Sequence, residues 1–295
     1  MKISPLHKTV LAIAAPAVIE LILTSLTQLV DTVMVGHLGA YAISAVGLTG
    51  QPRFILLAVF IALNVGSTAL VARFRGQNDK KSAELVTAQA ILLTLAIAAI
   101  LTIPGIAFAR AMVVFMGAGS DTVEAATTYF RIMMLGFIPT ALPITISALL
   151  RGVGDTKIAM RYNITANVIN IVLNYLLIYG KAGFPALGVA GSAIATVIGN
   201  CAACAMALYA IAGKRFHRNG NHASDFIELK VTRRNCEPNP AMLSRILRVG
   251  LPSAAEQFAL RAGLLIYTVT ITSLGTKVFA AHQIVLAILS LSFVN

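Results

Sequence analysis

The sequence predicts an all-α integral membrane protein: a polytopic helical bundle with a parallel two-lobe repeat, in which a six-helix N-lobe is followed by helix 7 and part of helix 8 of a C-lobe. Three observations predict it. The chain is 58% hydrophobic and 12% charged, has no Trp and has a mean hydropathy of +0.83; soluble domains carry about 25% charged residues. Residues 246–284 repeat residues 10–48 at a constant offset, so that Pro16, Glu20, Leu38-Gly39 and Ala45 recur as Pro252, Glu256, Leu274-Gly275 and Ala281. The basic residues fall on one side of the membrane, as described below.

A hydrocarbon core of about 30 Å needs roughly 20 apolar residues per helical span. Charge-poor windows of that size lie near 9–35, 42–72, 84–109, 124–150, 158–179, 186–213 and 242–273, and an eighth opens near 277. The first runs past the 7–15 residues of a signal h-region and has no small-residue cleavage site, so it is expected to stay as helix one. Six spans before the second copy is an even number, so both copies enter the membrane in the same sense, related by an axis along the membrane normal. Residues 1–213 are thus read as the N-lobe, 214–241 as a cytoplasmic linker and 242–295 as the start of the C-lobe. A repeat begun at 1 and again near 237 projects to a whole of roughly 470 residues, and these 295 residues alone are expected not to carry coupled transport.

With a cytoplasmic N-terminus, 17 of the 23 basic residues lie on inside segments, among them Arg73, Arg75, Lys80, Lys81, Arg151, Lys157 and Arg161; the opposite connections carry only Arg110, Lys181 and Lys277. This is the positive-inside pattern of the cytoplasmic (inner) membrane. The net charge of +12 therefore sets topology, and no base-reading module accompanies it, which argues against nucleic-acid binding. Arg53, Arg131 and Arg261 lie within helices.

Helix one carries Glu20, Thr24, Thr27 and Asp31, which share a narrow face at 100° per residue and run about 16 Å along the axis. Acidic groups inside a membrane are costly and mark ion or substrate paths. Helix four holds Pro139 and Pro143, which can kink it. Helix five repeats the helix-one spacing with amides, Asn163, Asn167, Asn170 and Asn174, as a hydrated wall or as glue between helices. In helix six, Cys201-x-x-Cys204 has neither a second pair nor a His partner nearby and reads as small apolar filler, with no metal site. In helix seven Glu256, Gly263, Tyr267 and Thr270 share one face, Tyr267 replacing Asp31, while Arg261 projects about 140° away from Glu256. A buried carboxylate could exchange a proton or hold Na⁺ through oxygen ligands, and the residues leave both open. No His-Glu-x-x-His, Gly-x-Ser-x-Gly or P-loop pattern is present, so neither an enzyme nor ATP use is expected.

Four ordered segments resemble the multidrug and toxic compound extrusion (MATE) family, NorM-like and DinF-like members in particular. They are Asp31-Thr-Val-Met-Val-Gly-His-Leu-Gly39, Leu150-Arg-Gly-Val-Gly-Asp-Thr-Lys157, Ile169-Asn-Ile-Val-Leu-Asn-Tyr-Leu-Leu-Ile-Tyr-Gly180 and Gly188-Val-Ala-Gly-Ser-Ala-Ile-Ala-Thr196. The resemblance implies two six-helix lobes around a cleft, alternating access, and export of amphipathic, often cationic drugs or dyes against inward Na⁺ or H⁺, with no cofactor. It implies cation coupling at Asp31 and Glu256, and a pocket to which Asn170, Asn174 and Thr196 belong; Glu20, Thr27 and Tyr267 are added from their faces. The alternative is a flippase for lipid-linked oligosaccharides, which needs a cleft lined by basic residues. The faces read here carry Glu, Asp, Asn and Thr, with basic groups mainly in cytoplasmic loops, which favours cationic or neutral cargo.

Overall fold

The computed structural model describes residues 5–212 and 237–292, all of whose regular elements are helical. Residues 214–236 of the expected linker lie outside the described residues. The eight sequence windows become ten helices: α1 (Pro5–Gly36), α2 (Ala40–Gly76), α3 (Lys80–Ala107), α4 (Ala109–Phe115), α5 (Val123–Leu135), α6 (Phe137–Gly152), α7 (Thr156–Tyr179), α8 (Gly188–Ile211), α9 (Pro240–Thr272) and α10 (Thr276–Ser292). Among the described residues four helices are long and apolar enough to cross a membrane, or five with the bent α5–α6 pair taken as one span. Helix α7, 24 residues long, and α9, 33 residues long, have the length but fall outside that set, α7 with four asparagines and α9 with arginines in its first half.

The backbone breaks helix four in the middle of its window. Helices α5 and α6 meet at 56° around Gly136. Pro139 cannot donate to the Leu135 carbonyl and its ring crowds that carbonyl, which interrupts the ladder at this point. Pro16, Pro52, Pro104, Pro143 and Pro252 all sit inside unbroken helices.

The two ends of the bundle differ. At the basic end, the α2–α3 and α6–α7 turns meet where Arg75 Nη1 donates to the Val153 carbonyl. Three helices start there on side-chain caps, Asp79 accepting from Ser82 N–H, Asp155 from Ile158 N–H and Asn239 from Met242 N–H. The bond from Ser82 holds the Asp79 carboxyl below its ordinary range. At the opposite end, Thr272 Oγ1 donates to the Met116 carbonyl (2.9 Å), Thr276 Oγ1 to Asp121 (3.2 Å), and Ser44 Oγ to the Thr276 carbonyl (2.9 Å). These bonds tie the α9–α10 turn to the α4–α5 connection and to the start of α2.

The internal repeat is visible in the backbone. Helices α1 and α9 end at Gly36 and Thr272, and α2 and α10 open at Ala40 and Thr276, each pair one repeat length apart. Between them Gly39 and Gly275 both take positive φ, 115° and 101°, a region L-residues with a Cβ avoid. The amides of Leu38 and Leu274 close matching bonds to Val35 and Ile271.

Helix α9 lies across α2 at close range. A Cβ at Gly66 would come within 2.4 Å of the Ile246 carbonyl oxygen, and one at Gly250 within 3.0 Å of the Ala62 oxygen, so two small residues set this crossing, as is common between membrane helices. One buried cluster, with Val71, Ile146, Leu149 and Ile246, packs towards the basic end; a second, with Phe60, Phe130, Met134 and Phe137, packs towards the other. Large side chains such as Ile100, Ile103 and Leu135 face outward, 66%, 74% and 70% exposed, as a lipid-facing surface requires.

Candidate functional site: a polar seam opening into a cavity

The two sequence stripes face each other. Asn163 Nδ2 donates to Glu20 Oε1 (2.7 Å), Asn167 Nδ2 to Thr24 Oγ1 (3.4 Å) and Asn174 Nδ2 to Asp31 Oδ1 (2.7 Å), each pair 143 residues apart. A constant offset means that α1 and α7 run parallel and in register, with their 0, 4, 7, 11 patterns meshing one residue to one. The third rung differs. Asn170 Nδ2 donates to Thr196 Oγ1 on α8 (3.0 Å), and Thr27 returns its hydroxyl to the Leu23 carbonyl (2.8 Å).

Asp31 sits at the junction of three helices. Its Oδ1 accepts from Asn174 and from Ser192 Oγ (3.1 Å) of α8, and Asn174 also donates to Asn170 Oδ1 (3.2 Å). Asn174 and Ser192 are fully buried, and Asn174 Oδ1 has no partner among the described residues. At the other end of the seam, Arg151 reaches from the last turn of α6 to within 3.8 Å of Glu20 Oε1.

Beside the seam is a cavity of about 700 Å³, the size of small-molecule sites. Glu20, Thr27, Asp31, Asn170, Thr196 and Tyr267 line it. Asn174 does not; it stands behind Asp31 and orients it. Nor does Glu256 line it: that residue is exposed on α9. The lining is shared between the copies, α9 and α10 contributing Tyr267, Thr268, His282 and Gln283. The Tyr267 and His282 rings meet edge to face at 5.5 Å.

The sequence reading places basic groups mainly in cytoplasmic loops, and the cavity nevertheless has two of them in its wall. Arg53 and Arg151 both line it. Arg151 belongs to the final helical turn of α6 and is long enough to reach the seam. Arg53 follows Pro52 inside α2 and makes no N···O contact with a carboxylate within 4 Å among the described residues. An unpaired charge within a span was the available signal. Tyr129, Gln28 and Asn200 also line the cavity; nothing in their spacing marks them.

This fold and this polar cavity between helices define a class, the polytopic membrane transporters with repeated helical lobes. The MatE family model matches residues 16–176, more than half of the chain, and the chain belongs to that family. It is 29% identical over 292 residues to the "Probable multidrug resistance protein NorM" of Thermotoga maritima, covering 99% of this chain and 60% of that protein. It is 29% identical over 268 residues to the "Uncharacterized transporter YisQ" of Bacillus subtilis, covering 89% and 55%. Among solved structures, a MOP superfamily transporter from Pyrococcus furiosus, described as having a binding pocket of reverse polarity that suggests a different function, matches with a TM-score of 0.75 at 29% identity over 85% of this chain and 52% of that one. An outward-facing multidrug resistance MATE transporter matches with a TM-score of 0.78 at 25% identity over 97% and 64%. The chain therefore spans between half and two thirds of the length of these relatives.

Proposed function

We infer that the chain carries the ion-sensing part and one wall of the drug cavity of a secondary active multidrug exporter, working by cation–drug antiport and alternating access. The observation that supports this reading is the placement of Asp31: one carboxylate, held by Asn174 and Ser192, that is part of the wall of a cavity large enough for a drug. In this reading, loading Asp31 with Na⁺ or H⁺ changes how it holds α7 and α8, and drug binding competes for the same wall. Coupling requires that ion and drug favour the protein's states differently. The unpartnered Asn174 oxygen beside Asp31 would suit a hard cation, which takes oxygen ligands. Arg53 acts in the opposite sense, since its charge disfavours a cation nearby. Glu256 would couple ions in the second lobe, from outside the present cavity.

In the same reading, residues 1–213 form the N-lobe, 242–295 open the C-lobe, the basic end is cytoplasmic and the membrane is the inner membrane. The flippase is not favoured: the relatives are named as multidrug resistance proteins and transporters. The test is dye efflux from vesicles carrying the full-length gene product under imposed Na⁺ or H⁺ gradients. Wild type is expected to lose efflux when the gradient is collapsed, and Asp31→Asn to lose the cation dependence. Efflux and cation dependence both unchanged in Asp31→Asn would overturn the assignment.

A further inference from the structure

The second copy is fastened to the first differently at its two ends. At the basic end Gln89 of α3 is completely buried and grips the backbone just ahead of α9. Its Nε2 donates to the Glu237 carbonyl (2.7 Å), and its Oε1 accepts from the Asn239 amide (2.9 Å). Asn239 in turn caps α9 through the Met242 amide. Met242 and Ile246 are buried in the same cluster as Val71, Ile146 and Leu149, and Gly250 packs on α2. Past that point α9 has no buried residue until Thr268. Residues 240–250, about three turns, therefore belong to the core of the first copy.

At the opposite end the fastening is lighter. The α9–α10 turn is held by three hydroxyl bonds, Thr272 to Met116, Thr276 to the exposed Asp121 and Ser44 to Thr276, and by a small apolar cluster of Leu48, Met116 and Phe279. Water can replace an exposed hydroxyl bond. A buried amide pulled off its partners leaves a donor and an acceptor unsatisfied, at the full desolvation cost of both.

We propose that Gln89 is a positioning residue outside the cavity, a clamp that makes residues 240–250 move with the N-lobe, so that α9 pivots at its basic end and parts from the first copy at the other. The moving bodies then divide inside α9, beyond the point where the sequence repeat begins. The pivoting rests on alternating access as inferred for this chain; the clamp stands without it.

Hydrogen exchange of the 295-residue chain in detergent, read by mass spectrometry, tests the clamp on two matching helix starts. In wild type the amides of residues 242–248 should exchange at least about tenfold more slowly than those of 278–284. Gln89→Met keeps the side-chain volume and loses both bonds; it should speed exchange at 242–248 about tenfold and leave 278–284 unchanged. Equal exchange of the two segments in wild type would overturn the proposal, as would unchanged protection of 242–248 in Gln89→Met or an equal rise in both segments. The pivot is tested in the full-length gene product with every native cysteine replaced by serine. A disulfide between Asp121→Cys and Thr276→Cys should stop dye efflux, and dithiothreitol should restore it. Undiminished efflux with the disulfide formed would overturn the pivot. A cysteine-free parent that gives no gradient-driven efflux would remove the transport reading, and the exchange pattern would still decide the clamp.

Discussion

Helices α1 and α9 are two copies of one sequence pattern placed in different surroundings. Both keep the proline, the glutamate and the glycine turn at a fixed offset, and the backbone reproduces the boundaries. Their polar faces do not behave alike. In α1 the stripe is hydrogen-bonded rung by rung to α7, and Glu20 is half-buried. In α9 Glu256 is exposed, and only the Tyr267 end of the stripe reaches the cavity. The helix facing α1 comes from its own copy, and the counterpart of α7 under the same offset falls outside the 295 residues. The repeat fixes helix length, turn geometry and register; the partner helix decides what a carboxylate on that helix does.

The largest expected effect tests that contrast. Asp31→Ala leaves two buried donors, Asn174 and Ser192, without their shared acceptor. At about 1–3 kcal/mol per unsatisfied group, the loss should be about 3 kcal/mol. Glu256→Ala should change stability by less than about 0.5 kcal/mol. Thermal unfolding of the 295-residue chain in detergent reads both, and equal losses would break the comparison. Next is Gly66→Ala, whose new methyl would strike the Ile246 carbonyl at the α2–α9 crossing. Overpacking of this kind costs about 2 kcal/mol. The same melts check it, and an unchanged transition would mean that α9 is free to move away from α2.

Asn163→Ala should cost about 1 kcal/mol, one charge-assisted bond at a half-buried carboxylate, because Glu20 keeps Arg151. The double substitution Asn163→Ala with Arg151→Ala then measures whether the two share Glu20, by its departure from additivity. A sum of the single effects would show that the two contacts to Glu20 act independently.

The stripes were legible because helical periodicity assigns a residue to a face whatever surrounds the helix, and the matching spacing on helices one and five survives as the 143-residue rungs. The partner of each face was not legible, since periodicity carries no distance between helices. Arg53 shows the opposite failure. Counting charges for topology set it aside as lying within a helix, although an unpaired charge there is itself a signal of function. Arg151 was counted among the inside segments; α6 runs to Gly152, two residues past the expected window, and Arg151 in its last turn comes within 3.8 Å of Glu20. Glu256 illustrates the limit of repeat arguments: equivalence in sequence transfers backbone conformation and leaves the environment to the rest of the fold.

The smallest effect has the opposite sign. Gly263 lies on the face of α9 with Glu256 and Tyr267, and a Cβ there meets nothing within 4 Å. Its φ is not positive, so alanine fits the helix without strain, and the gain in helix propensity is about 0.5–1 kcal/mol. Gly263→Ala should therefore raise the melting temperature slightly in the 295-residue chain. In the full-length gene product the same substitution reports on what that face meets. A gain retained there would mean that the face stays open, as part of the cavity wall. A loss would mean that a further helix packs against it as closely as α9 packs on α2, and the polar face of the second copy would then be enclosed as that of the first one is.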